Sequence, residues 1–308
     1  MEFKHISVLL KETIDALNVQ RDGIYLDGTL GGGGHSAAIC EKLGRDGILV
    51  GIDRDETAIK AAKVRLENYD VQFKFVHANF QEAKEILMNE GLTAINGAVL
   101  DLGVSSHQLD EGERGFSYRF DATLDMRMDK RQDFTAKDLV NNYSYEDLTK
   151  VLFAYGEEKN ARRIAKKIIE GRPIETTTQL VEIIKSAFSV KQRYSDKHPA
   201  KRTFQALRIE VNNELDILGQ TVEDLADMLV PGARIAVITF HSLEDRIIKS
   251  KFLELATGCT CPKEFPICIC GKVPKYKVVS RKPVFPSEEE LSKNPRSASA
   301  KLRVLERI

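Results

Sequence analysis

Apolar and polar positions follow two different rhythms along this chain. In the first hundred residues, short apolar runs bounded by glycine alternate with longer stretches whose apolar positions lie three and four apart. Residues 23–30 (GIYLDGTL) and 47–55 (GILVGIDRD) read as buried parallel strands. Residues 71–79 (VQFKFVHAN) read as a partly alternating strand, and 96–106 (NGAVLDLGVSS) as a strand running into a small-residue loop. Residues 35–44 and 56–69 between them carry helical patterns. Strands separated by helices of this length predict a doubly wound α/β sheet, whose ligands bind beyond the carboxyl ends of the strands.

From about residue 109 to 215 the strand rhythm stops. Residues 144–156, 157–171, 176–189 and 201–218 have helical periodicity, with no convincing buried strand among them. Residues 231–240 (PGARIAVITF) then restore a sheet strand, and 299–308 (SAKLRVLERI) predict an edge strand. The expected organisation is an α/β domain built from 1–108 and 216–308, interrupted by a helical insertion over 109–215.

Composition adds bounds. A length of 308 residues suits about two domains, and 42% hydrophobic with 30% charged residues can bury a sizeable core. Lys+Arg and Asp+Glu are equal at 46, so any nucleic-acid surface must be a local patch. The first eighteen residues scatter charges and show no apolar signal region, and no run approaches the roughly 20 apolar residues of a bilayer span. A soluble, cytoplasmic chain without membrane contact is expected. The five cysteines, Cys40, Cys259, Cys261, Cys268 and Cys270, are an odd number, which argues against a disulfide framework. The last four could offer thiolates to zinc, although C-x-C is tighter than the usual C-x₂-C; no metal is assigned.

The loop Asp27-Gly-Thr-Leu-Gly-Gly-Gly-Gly-His35 follows the first strand and opens a helix. Consecutive glycines let backbone approach a ligand closely and adopt positive φ. Asp53 ends the second strand, where an acid accepts hydrogen bonds from ribose hydroxyls. The loop reads Gly31-x-Gly33-x-x-Ser36 where a dinucleotide fingerprint has a third glycine. Asp27 stands where a carboxylate could meet a cationic amino-acid moiety, or could simply cap the loop. Together these favour S-adenosylmethionine over NAD.

Longer motifs carry a resemblance. His5-Ile-Ser-Val-Leu-Leu10, the loop Asp27–His35, Ile52-Asp-Arg-Asp55, Leu100-Asp-Leu-Gly-Val-Ser-Ser106, Gln108-Leu-Asp110, Glu113-Arg-Gly-Phe-Ser117, Leu124-Asp-Met-Arg-Met128, Tyr155-Gly-Glu-Glu158, the run His198–Arg208 and Phe240-His-Ser-Leu-Glu-Asp-Arg246 closely resemble the RsmH (MraW) family. These are bacterial methyltransferases of the exocyclic N4 of a cytidine in 16S ribosomal RNA of the small subunit. The resemblance spans nearly the whole chain. It implies a class I (Rossmann-like) methyltransferase sheet with a helical insertion domain. It also implies S-adenosylmethionine contacts at Gly33, Gly34, His35, Asp53, Phe80, Asp101 and Gln108. An aromatic such as Phe80 can cover an adenine face, and His35 at a helix start could meet a carboxylate through ring or backbone.

For methyl transfer to an aromatic amine the protein must place the nitrogen in line and offer it acceptors. Amino methyltransferases often do so with an Asn/Asp-Pro-Pro-aromatic loop, whereas this chain has Asp101-Leu-Gly-Val-Ser-Ser106. Asp101 is the candidate catalytic acceptor, serving cofactor, base amine or both; Ser105 and Ser106 are secondary, or helix caps. From Lys159 to Arg208 there are 13 Lys and Arg against 4 Asp and Glu. That excess makes the insertion the expected RNA-binding surface, with Arg162, Arg163, Lys201 and Arg202 as contacts, and the loop Glu113–Ser117 a weaker base-handling candidate. Competing readings are a methyltransferase of small molecules or proteins, an RNA-binding assembly factor with a vestigial pocket, and an NAD-dependent dehydrogenase.

Overall fold

The computed structural model describes residues 7–189, 198–258, 261–262, 265, 267, 269–271 and 273–308. They form two compact units, one of Met1–Gly103 with Leu215–Ile308 and one of Val104–Glu214. In the first unit the strands are β1 (Ile24–Asp27), β2 (Ile48–Asp53), β3 (Gln72–His77), β4 (Ile95–Asp101), β5 (Leu229–Thr239), β6 (Tyr276–Val278) and β7 (Lys301–Arg307). They make one sheet in the order β3-β2-β1-β4-β5-β7-β6. The first five strands run parallel, while β7 is antiparallel to both β5 and β6.

The apolar runs became the central strands because both of their faces are covered. Leu26, Leu49, Val50, Val99, Leu100 and Val237 are fully buried, as expected for parallel strands packed between helices. The C-terminal strand departs from the expected edge position. It pairs on both sides, its five central residues are buried, and buried Arg303 donates to Asp245 Oδ1 at 2.7 Å. The edge is the three-residue β6, too short to give a periodic signal.

The first four helices are α1 (Leu10–Leu17), α2 (Gly34–Cys40), α3 (Glu56–Leu66) and α4 (Ala83–Asn89). The insertion holds α5 (Ser106–Asp110), α6 (Ala136–Asn142), α7 (Tyr145–Ala154), α8 (Ala161–Glu170), α9 (Thr177–Ser186) and α10 (Lys201–Asn212). After it come α11 (Leu218–Met228), α12 (Ser242–Ala256) and α13 (Glu288–Lys293). Side-chain caps start several of them: Asp55 accepts from Thr57 N at α3, Thr135 from Asp138 N at α6, and Thr176 from Gln179 N at α9. The helical pattern over 201–218 is split, since Asn213 takes a left-handed conformation (φ 47°) that ends α10. The second unit spans Val104–Glu214, opening just after β4 ends at Asp101 and Gly103 takes a φ of 89°.

The insertion has its own core, including Leu139, Leu152, Ile164, Ile168, Ile184 and Leu207. One polar side chain ties its two ends together. Asn212, 3% exposed, accepts from Met128 N at 2.7 Å and donates to the carbonyls of Met126 and Arg208, each at 2.8 Å. Asp125 and Arg127 of the same motif pair through two bonds of 2.8 Å. Removing the amide strands buried backbone groups, each costing about 1–3 kcal/mol. Asn212→Ala should therefore destabilise the insertion by about 2–4 kcal/mol. Urea unfolding is the check, and a loss below about 0.5 kcal/mol would contradict the assignment.

Candidate active site

From β1 the chain builds outward to β2 and β3, then crosses back to place β4 on the other side of β1. That reversal opens a crevice at the carboxyl ends of β1 and β4. Three acids stand there on adjacent strands: Asp53 ends β2, Asp27 ends β1 and Asp101 ends β4. The glycine loop is pinned between them. Leu30 N donates to Ile52 O at 3.0 Å, Gly31 N to Asp53 Oδ2 at 2.7 Å, and Asp101 N to Thr29 Oγ1 at 2.6 Å. Gly33 has φ 73°, and a Cβ there would lie 3.2 Å from the Ala62 backbone. A Cβ on Gly34 would collide with Ser7 Oγ. These two glycines are thus required by packing of the loop, leaving Gly31 and Gly32 as its half-buried surface.

The acids differ in how they are satisfied. Asp27, 1% exposed, accepts from Ser36 Oγ at 2.7 Å and Thr29 N at 3.2 Å. Burial still raises its pKa to about 6. Asp53 accepts from Gly31 N and, at 2.8 Å, from Asp55 N, and burial raises it to about 6 as well. Asp101 has no such support. Its Oδ1 is buried without a partner, and Oδ2 lies 3.9 Å from His35 Nδ1. Burial, then the charges of Asp27, Glu244 and Glu290, hold its carboxyl well above the usual carboxylate range. Burial lowers His35 to about 4, so its ring is neutral at pH 7 and its contact with Asp101 is not an ion pair. With Val8 O at 3.1 Å from Nε2, the proton sits on that nitrogen. His35 is therefore held through its ring by the chain before α1 and faces the loop with its backbone.

The other expected contacts are placed as follows. Phe80 opens a short 3₁₀ turn after β3, is 6% exposed, and has the Arg54 guanidinium 5.7 Å from its ring centre. Gln108 belongs to the insertion, where it forms a capping box with Ser105: Ser105 N donates to Gln108 Oε1 at 3.1 Å, and Gln108 N to Ser105 Oγ at 3.2 Å. The Glu113–Ser117 loop uses its prominent side chains for packing. Arg114 is 5% exposed and donates to the carbonyls of Arg127 and Met128, and Phe116 is buried in the insertion core. Sequence reasoning missed the Ser36 lock on Asp27, the Thr29 hydroxyl on Asp101 N, and the acids Glu244 and Glu290. Glu244 lies within the motif Phe240–Arg246, whose buried acid was the available signal.

In the insertion, structural pairing consumes much of the positive charge. Arg208 makes two bonds to Glu214 at 2.8 and 2.9 Å, Arg172 donates to Val140 O, and Lys167 and Lys185 pair with Glu170 and Glu182. Arg162 and Arg163 on α8 and Lys201 and Arg202 on α10 remain exposed. Arg202 Nη1 donates to Glu157 O at 3.2 Å, and Gln205 Nε2 to Tyr155 O at 3.0 Å. The start of α10 therefore lies against the turn that precedes α8. A groove of about 390 Å³ nearby is lined by Tyr143, Lys150, Tyr155 and the acids Asp147 and Glu210, a poor match for phosphate. Among the cysteines, Cys259 and Cys268 lie outside the described residues. No helix among the described residues is long and apolar enough to cross a membrane.

Comparison with known proteins gives a family. The profile of the MraW methylase family matches residues 2–308. The chain is 54% identical over 311 residues to ribosomal RNA small subunit methyltransferase H of Clostridioides difficile (strain 630), covering 100% of both chains. It is 56% identical over 312 residues to the protein of that name from Clostridium botulinum (strain 657 / Type Ba4), again covering 100% of both. A solved rRNA methylase from Streptococcus thermophilus has 11% identity and a TM-score of 0.45, with 99% of each chain covered, too distant a likeness to bear on function.

A carboxyl that folding raises in pKa reduces stability as pH climbs from its unfolded value towards its folded one. Asp101→Asn cannot ionise and escapes that loss. The unliganded variant should melt several degrees above the wild type at pH 8, with a smaller gain at pH 5. Thermal denaturation at the two pH values checks this, and a variant no more stable at pH 8 would contradict the burial argument.

Proposed function

Because the chain belongs to the MraW methylase family, we infer that it is an S-adenosylmethionine-dependent methyltransferase that modifies the exocyclic N4 of a cytidine in 16S ribosomal RNA. The observation that carries this reading is the match over the full chain, joined to an acidic, glycine-lined crevice at the switch point of the sheet. The residues present fit the cofactor: a loop free of side chains at Gly31 and Gly32, a ribose acceptor in Asp53, and a half-buried acid, Asp101, with a buried, unpartnered oxygen. When bound, S-adenosylmethionine supplies a methyl group already activated on a sulfonium sulfur.

What remains for the protein is placement. Asp53 accepts from the ribose hydroxyls while its bonds to Gly31 N and Asp55 N keep it aimed. Gly33, Gly34 and the His35 backbone bound the amino-acid end, and Phe80 bounds the adenine. The family resemblance adds Gln108 as a cofactor contact. Asp101 accepts from the target amine, whose lone pair is delocalised into the ring and needs both alignment and a preorganised acceptor. The insertion grips the RNA through Arg162, Arg163, Lys201 and Arg202, and the small subunit or its RNA is the partner, in the cytoplasm.

Calorimetry should show S-adenosylmethionine binding where NAD does not. Asp53→Ala should weaken that binding by about 1.5–3 kcal/mol, the value of a charge-assisted hydrogen bond; unchanged affinity would remove Asp53 from the site. Neutralising Arg162, Arg163, Lys201 and Arg202 together should weaken RNA binding. The slope of log K against log salt should fall by up to about 0.7 for each phosphate that is no longer neutralised on single-stranded RNA. An unaltered salt slope would exclude these four residues as the RNA contacts.

A further inference from the structure

Asp27, Asp53 and Asp101 share one rim, and among the described residues none of them pairs with a lysine or arginine. Asp27 and Asp53 are partly compensated by hydroxyl and amide donors. Asp101 is not, with one oxygen buried and unpartnered and the other 3.9 Å from an imidazole. The groups facing it from each neighbouring element are Asp27 from β1, Glu244 from α12, Glu290 from α13, and His35 from α2. Three are acids and the fourth is neutral at pH 7.

Two of those acids are fixed in place. Glu244, 1% exposed, accepts from Phe240 N at 2.8 Å and His241 N at 3.2 Å, with His241 Nε2 3.1 Å from its other oxygen. Glu290 accepts from Leu9 N at 2.9 Å. Neither can turn away without giving up backbone donors, so the negative field at Asp101 is built in. Among the described residues no cation answers that field, and a cationic ligand would.

S-adenosylmethionine and its product S-adenosylhomocysteine share the adenosine, ribose, amino and carboxylate groups. They differ by one methyl group and one positive charge. Contacts to the shared groups cannot tell them apart, whereas an uncompensated carboxylate can. We propose that Asp101, framed by Asp27, Glu244 and Glu290, selects the sulfonium cofactor over the thioether product by charge, giving up a proton when the cation binds and regaining one at turnover. This deepens the cofactor reading above and rests on it.

The atoms and charges balance. In the transfer, the carbon–sulfur bond breaks with its electron pair going to sulfur, and the amine lone pair forms the carbon–nitrogen bond. The proton lost from N4 passes to the Asp101 carboxylate. The rim is thus ionised opposite a cation before transfer and protonated opposite a neutral thioether after it, which favours product release.

Calorimetry at pH 6, 7 and 8, in two buffers of different ionisation enthalpy, tests this without any turnover. For the wild type, S-adenosylmethionine binding near pH 7 should release up to about one proton more than S-adenosylhomocysteine binding. The ratio of the two affinities should move three- to tenfold in favour of the sulfonium between pH 6 and 8, within the limit of about tenfold per pH unit for one linked proton. Asp101→Asn should still bind S-adenosylmethionine, with most of the change of that ratio between pH 7 and 8 lost; Asp27 and Asp53, raised to about 6, contribute mainly nearer pH 6. Equal proton release for both ligands, or a change of the ratio between pH 7 and 8 that is undiminished in Asp101→Asn, would overturn the proposal while leaving the cofactor assignment standing. Failure of the wild type to bind either ligand would overturn both.

Discussion

Withdrawing carboxylates from water without a basic partner is costly in any protein, and the first unit does so on three adjacent strands, with Asp27 buried and Asp53 and Asp101 half-buried. Much of the surrounding structure can be understood as holding that arrangement. Ser36 and Thr29 occupy Asp27, the amides of Gly31 and Asp55 occupy Asp53, and the α12 capping box immobilises Glu244. The glycine loop follows from the same constraint. It must turn tightly enough for Gly31 N to reach Asp53 while Gly33 and Gly34 pack against Ala62 and Ser7. A cation bound there would relieve that cost, and under the proposal above this relief is what separates the sulfonium from the thioether.

The insertion obeys a different logic. It is a helical unit with a separate core, tied by Asn212 and the Asp125–Arg127 pair, and much of the positive charge of its described residues is spent on internal ion pairs and carbonyl contacts. Arg162, Arg163, Lys201 and Arg202, at the starts of α8 and α10, stay exposed. In a protein of zero net charge such exposed cations act locally, their field being screened within about 8–10 Å at physiological salt.

The α/β class was legible from glycine-bounded apolar runs, since parallel strands buried on both faces must be nearly continuous in Val, Ile and Leu. Element ends and short elements were not. The three-residue β6 has no periodicity to show, and β7 looked like an edge because pairing partners leave no trace in a strand's own sequence. The break at Asn213 was hidden in a helical pattern that continues into α11. At the crevice, Asp27 and Asp53 were visible because acids at strand ends stand out against apolar runs, while Asp101 came from the resemblance of its Asp-Leu-Gly motif. The acids that set the state of Asp101 were not, because Glu244 and Glu290 are more than 140 residues away in sequence. The role of Arg114 and Phe116 was obscured for a related reason: an Arg and a Phe in a loop suggest exposure, and only packing shows them buried.

Where the methyl group goes decides the function. Purified protein, 16S ribosomal RNA lacking the modification, presented free and within the small subunit, and isotopically labelled S-adenosylmethionine should yield labelled N4-methylcytidine on nucleoside digestion and mass spectrometry. Label at a carbon, on another base or on protein, or none with either form of the substrate, would contradict the assignment of this chain as a cytidine N4-methyltransferase.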